Sequence, residues 1–234
     1  MVGCNDTSPL SSGVGLILHH SVAKYVQSVK DYKGRVIHAD LYLRGNTKLR
    51  IVQVYIQAHI TDKTSRRDID NYIFKIIDQA QEKQFKIIIM GDFNSDPDVL
   101  EDLLDNGSKV HWRYNLLMRL KHHGFLDSYR CFHDSGGSTW SDKHLKKTRI
   151  DQIWLDSELH LDLLFSNVLQ NTMYGSDHRL LITYFLVDNI FQRPQVAQLS
   201  QITMNVSFII IKPSLKKIGR LLQTLPICSL LNYF

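Results

Sequence analysis

The chain has 234 residues, 44% of them hydrophobic and 22% charged, which excludes intrinsic disorder, a collagen repeat and a coiled coil and leaves room for one large domain or two small ones. Three cysteines, Cys4, Cys131 and Cys228, form neither a disulfide framework nor a CxxC metal pair and point to a reducing compartment. The net charge of +5 sits mostly at one end: residues 188–234 hold Arg193, Lys212, Lys216, Lys217 and Arg220 against Asp188, while the rest carries 23 basic and 22 acidic side chains. The basic balance is therefore weak evidence for a polyanionic partner.

The opening MVGCNDTSPL has no basic region followed by an apolar run, so it does not read as a secretory signal. No stretch approaches the roughly 20 apolar residues of a membrane span, and the expectation is an intracellular protein, of cytoplasm or nucleus. Residues 1–12 fit no element. GVGLIL (residues 13–18) reads as a short buried strand. Residues 35–43 and 48–56 alternate apolar and polar side chains across RGNT, whose Gly45-Asn46 suits a hairpin turn. From 65 to 84, Ile69, Tyr72, Ile73, Ile76, Ile77 and Ala80 recur at three and four, an amphipathic helix starting near Asp62 or Ser65. FKIIIM (85–90) is a β-branched run ending in Gly91-Asp92-Phe93-Asn94.

Residues 110–121 again show helical spacing through Trp112, Leu116, Leu117 and Leu120, with Gly124 as a stop. Strands follow at 138–140, at 149–155 after the basic loop SDKHLKK, and at 179–187. Strands mixed with surface helices predict an α/β or α+β sandwich with a mixed sheet. Beyond Val187 the character changes to a linker, QRPQVAQLSQ, the apolar SFIII, and a basic segment whose Leu215, Ile218, Leu221, Leu222 and Leu225 share one helical face. Such a helix suits docking on the domain, on a partner or on an anionic membrane surface. The organisation expected is thus 1–12 outside the domain, 13–187 the domain and 188–234 a basic tail.

Four polar clusters stand at strand ends: Tyr55 after IVQV, Asp92 and Asn94 after FKIIIMG, Asp151 within TRIDQIW, and Asp177-His178 within YGSDHRLL. Singly, each is ordinary turn or capping chemistry. The pairs His19-His20 and His122-His123 read as surface residues rather than metal ligands, because neighbours on a strand point to opposite sides. Lys143, Lys146, Lys147 and Arg149 suit either a nucleic-acid backbone or a solvated loop.

In their order, GDFN (91–94), RID-x-I (149–153) and GSDH (175–178), joined by GFLDSYR (124–130) and Thr139-Trp140, resemble the endonuclease/exonuclease/phosphatase (DNase I-like) superfamily, above all its retrotransposon and apurinic-type endonucleases. The resemblance runs from about Gly13 to Val187. It implies a four-layer sandwich of two mixed β-sheets flanked by helices, with the active site where strand ends converge.

The chemistry it implies is hydrolysis of a phosphate ester by water, assisted by Mg2+ or Mn2+. By resemblance Asp92 serves the attacking water and the metal, Asn94 positions the phosphate, and His178 contacts it while Asp151 fixes the imidazole. Asp177 is the other metal ligand, and Tyr55 lends its hydroxyl to the phosphate or the leaving group. Gln57 replaces the family's usual proline. The family's Asn and Q-E strands, which complete its metal site, precede the segment matched by GVGLIL, and none of the twelve residues before Gly13 is Glu, so N-terminal strands are expected to be missing. The inositol phosphatases' Trp-Cys-Asp-Arg element is absent, which favours nucleic acid, DNA foremost, as substrate. The alternatives are a lipid or nucleotide phosphodiesterase and a non-catalytic remnant or phosphate-binding module of the same fold.

Overall fold

A computed structural model describes residues 2–3, 13–58, 62–142, 144, 146–169, 176–186 and 208–209. The chain opens with β1 (Val2–Gly3) antiparallel to β2 (Gly15–Leu16), so the expected strand at 13–18 shortens to two residues and gains a partner from the N-terminal segment. A single helical turn, α1 (His20–Ala23), leads to β3 (Val26–Tyr32), a strand the pattern does not announce. Its pairing with β4 (Val36–Tyr42) slips between Val26 and Ser28. That bulge lets Val26 and Val29, three apart, pack on the same core and hides the two-residue period. β4 and β5 (Lys48–Tyr55) form the expected hairpin, turned by Gly45 (φ 74) and Asn46 (φ 63). Asp62 caps α2 (Lys63–Glu82) through the Thr64 and Ser65 amides, and the helix returns the chain to β6 (Lys86–Asp92), parallel to β5.

α3 (Pro97–Asp105) is an addition to the expected elements, started by an Asp96 cap and Pro97 in its first turn. The helix expected at 110–121 is a 3₁₀ turn at Trp112–Tyr114 followed by α4 (Asn115–His122). There follow β7 (Leu126–Asp127), the small hairpin of β8 (Trp140–Ser141) and β9 (Lys147–Thr148), and β10 (Asp151–Leu155). A turn, α5 (Ser157–His160), precedes β11 (Leu163–Leu169), β12 (Leu180–Phe185) and β13 (Phe208–Ile209). Apart from β13, the tail expected from residue 188, with its helical segment, lies outside the described residues.

The central sheet has the order β3-β4-β5-β6-β10-β7 and is mixed, its one parallel pair being β5 and β6. On one face Val52, Val54, Ile87, Ile89 and Trp154 pack against α2 and α4 through Ile73, Ile77, Leu117 and Leu120. On the other, Ile37, Ile51, Ile88, Met90 and Ile153 meet Leu181 and Phe185 of the second sheet, β11-β12-β13, which is antiparallel in its three described strands. Helices, sheet and sheet thus stack in layers around two cores. Three buried hydroxyls, Ser128 beside β7 with Ser166 of β11 and Thr183 of β12, lie 3.0–3.2 Å apart and bond the two sheets together.

Candidate active site

Strand register alone gathers the first part of the site. Tyr55 is the parallel partner of Asp92, and Asp92 is the antiparallel partner of Asp151, so three strand ends place these residues in one row at one end of the central sheet. Gly91 permits this approach. At φ 141 it takes a conformation that side chains avoid, and an added Cβ would run into the Val54 carbonyl. Beyond the row the chain is laced back onto β5: the Ile56 amide donates to the Asp92 carbonyl at 2.8 Å, and the Asn94 side-chain amide donates to the Ile56 carbonyl at 2.5 Å. Asn94 itself sits at φ 47, with its backbone N–H donating to Asp92 Oδ1 at 3.0 Å. One of the two Asn94 amide hydrogens is therefore committed to the backbone.

The second part arrives from the other sheet. His178, two residues before β12, places Nδ1 2.7 Å from Asp151 Oδ2, both groups being buried. Asp151, acceptor-only as a carboxylate, holds the proton on Nδ1 and directs Nε2 to the opposite side of the ring. The backbone of His178 forms a bridge with Trp140. Next to Trp140 stands the fully buried Thr139, whose Oγ1 accepts from the amides of both Ile150 and Asp151, at 3.1 and 2.9 Å. The Thr139 carbonyl accepts from Arg179 at 2.7 Å. One residue therefore ties the strand of Asp151 to the strand of His178.

Asp92, Asp151 and His178 each present a ligand atom within 4.8 Å of the others, a group able to hold a metal ion. Carboxylate oxygens suit a hard divalent cation, and the donor set fits one. Asp177 stands apart from this group. It is exposed, and its carboxylate accepts from the Trp140 indole at 2.8 Å. Tyr55 is half-buried, with the buried Arg35 guanidinium 5.1 Å over its ring and the Arg35 carbonyl accepting its amide at 2.8 Å. Sequence reasoning passed over Arg35, and nothing in its local pattern marks it.

Arg149 corrects an expectation. It is buried away from any surface loop, with its guanidinium bonded to Asp127 and to Asp98, and Arg130 shares Asp98. Burial pushes the Asp98 carboxyl up, but the two arginines outweigh it and hold the group below its usual range. Asp96, which accepts the Arg149 amide at 2.9 Å, is raised because burial dominates there. Lys146 and Lys147 are exposed, whereas Lys143 and Gly175 lie outside the described residues; His19, His20, His122 and His123 are exposed and belong to no ligand group among the described residues.

Two carboxylates in one row, one of them bonded to an imidazole brought from the second sheet, form a group that can hold a divalent cation beside an anionic ligand. The sequence matches the Endonuclease/Exonuclease/phosphatase family over residues 2–178, and the chain belongs to that family. The match begins ahead of Gly13, where the sequence pattern sets the domain boundary. The fold is similar to that of a variant of the 3' phosphatase NExo from Neisseria bound to product DNA hairpin, with 20% identity and a TM-score of 0.56 over 68% of this chain and 71% of that one. It is also similar to an AP endonuclease from Archaeoglobus fulgidus, with 16% identity and a TM-score of 0.51 over the same shares. A search of curated proteins finds no match. Among the described residues no helix is long and apolar enough to cross a membrane.

Proposed function

We propose that the protein is a divalent-metal-dependent phosphodiesterase acting on nucleic acid, DNA foremost, as an endonuclease. The observation that carries the reading is the Asp151–His178 bond at 2.7 Å, set within ligand reach of Asp92. Asp92 accepts a proton from the attacking water as its oxygen bonds to phosphorus. The remaining amide hydrogen of Asn94 donates to a phosphoryl oxygen, and His178, when protonated on Nε2 as well as on Nδ1, donates to another. Tyr55 gives its hydroxyl proton to the leaving oxygen as the P–O bond breaks, with the Arg35 cation beside its ring. A Mg2+ or Mn2+ ion held by Asp92, with Asp177 at the rim, supplies charge compensation on the phosphoryl oxygens when bound. The exposed Lys146 and Lys147 beside the β8–β9 hairpin suit a polyanionic backbone.

The test is nicking of supercoiled plasmid by the full chain with Mg2+, with EDTA, and as His178→Ala. The reading expects metal-dependent nicking reduced at least about 100-fold by the substitution. Equal activity in wild type and variant overturns it. Cleavage of a lipid or nucleotide phosphodiester with DNA untouched moves the substrate class. No hydrolysis by either form, with DNA still bound, identifies a phosphate-binding module of this fold.

A further inference from the structure

The nearly neutral charge of the domain hides a local imbalance. Residues 106–126 contain Lys109, Arg113, Arg119 and Lys121, three histidines and no carboxylate. Two of these cations are engaged: Lys121 pairs with Glu101, and Arg119 lies 3.7 Å over the Phe74 ring and donates to the Asn71 side chain. Lys109 and Arg113 form no ion pair among the described residues. Between them stand two rings, the exposed His111 and the half-buried Trp112, with centroids 4.9 Å apart. Val110 and Tyr114 pack on the helical core, whereas Trp112 belongs to neither core among the described residues. Cations interleaved with rings that the core does not use suit a nucleic-acid strand, whose phosphates and bases need one of each.

Contacts tie this segment to the end of the central sheet that carries the candidate site. The His111 ring accepts from the Arg113 amide at 3.2 Å and starts the 3₁₀ turn. Arg66, buried and bonded to Asp70 at 2.8 Å, donates to the Arg113 carbonyl at 3.1 Å, and the Arg113 guanidinium donates to the Ala58 carbonyl at 3.4 Å. Ala58 lies three residues past Tyr55, on the stretch whose Ile56 carbonyl receives Asn94. Burial pushes the Tyr114 phenol up, with Arg113 opposing and the Asp96 carboxylate adding to the shift, so Tyr114 stands within electrostatic reach of a residue two beyond Asn94.

We infer that Lys109, His111, Trp112 and Arg113 form a platform for an unpaired nucleotide of the strand whose phosphodiester occupies the candidate active site. The inference rests on the nucleic-acid reading above and narrows it to a substrate that is single-stranded or frayed beside the scissile bond. A base stacked within a duplex has no free face to offer, whereas an unpaired one can lie on the exposed part of the Trp112 indole. Lys109 and the remaining N–H groups of Arg113 then meet the adjoining phosphates.

The test measures binding of fluorescein-labelled single-stranded oligo-dT of about 12 nucleotides to the full chain by anisotropy, in EDTA so that hydrolysis plays no part. Trp112→Ala is expected to weaken binding about tenfold and Trp112→Phe to restore it. Lys109→Gln with Arg113→Gln should lower the slope of log Kd against log salt by about 1.4, the share of two phosphates. The charge variant decides alone if Trp112→Ala loses its fold by circular dichroism. No binding by the wild-type chain, or an unchanged slope in the charge variant, overturns the inference. So does displacement of the oligonucleotide by inorganic polyphosphate that is equally effective in wild type and Trp112→Ala, since charge alone would then be read. A chain that binds oligo-dT as expected but fails to nick plasmid refutes the endonuclease and leaves the platform standing. Nicking with binding unchanged in both variants refutes the platform alone.

Discussion

At the scale of single residues the site depends on positions that contribute no chemistry themselves. Gly91→Ala would set a methyl against the Val54 carbonyl in a disfavoured backbone region, and a loss of about 3 kcal/mol or more is expected in urea titration. Thr139→Val keeps the shape but removes the acceptor for two buried amides. The expected result is about 2 kcal/mol less stability and a fall in kcat of about tenfold with KM little changed, with Thr139→Ser restoring both. Asp151→Asn strips the imidazole of its carboxylate, and kcat should drop at least about 100-fold while the fold persists, as checked by circular dichroism. Asp92, Asp151 and His178 were legible in the sequence because each is embedded in a short motif at a strand end. The contacts of Thr139 and Arg35 were not, since both are made with partners distant in the chain. The turn of Asp177 toward Trp140 is likewise a contact across 37 positions.

Elements were legible where burial is regular or complete. α2 buries one helical face, while β4, β5, β6 and β10 are buried on both faces and stand as apolar, β-branched runs, and all were anticipated. β3 and β11 were not, and both carry a register shift near their start that breaks the alternation. α3 was missed although Asp96-Pro97 is a usable start signal. On β4, with its ring 6.3 Å from that of Tyr72 in α2, lies the buried His38, whose Nδ1 has no hydrogen-bond partner among the described residues. Burial first, then the charge of Arg50, pushes its imidazole down to about 4, with Asp40 opposing and Lys30 adding to the shift. The unfolded chain takes up this proton near pH 6.5 and the folded one only near 4. Stability is therefore complete above 6.5 and declines as pH falls through that window, by about 3 kcal/mol in all. Urea midpoints measured from pH 7 to pH 4 should show that decline, and His38→Gln should flatten it.

Across the whole molecule, the element pattern predicts a sandwich with a mixed sheet, but the second sheet follows from family resemblance alone, because no local pattern says that another sheet will cover Ile51, Ile88 and Ile153. Leu181 lies at that junction, fully buried and three residues past His178. Leu181→Ala should cost about 2–5 kcal/mol by opening a cavity, and it should lower turnover more than a loss of equal size on the α2 face, such as that of Ile77→Ala. The ordering of the two effects is measurable by comparing nicking rates at matched thermal midpoints. The carboxylate row rides on one sheet and the imidazole on the other, with the Ser128, Ser166 and Thr183 hydroxyls between them. On the proposed reading, turnover is a proximity gauge between two separately built halves: mild denaturant that merely loosens their seam should silence nicking while ellipticity is still intact.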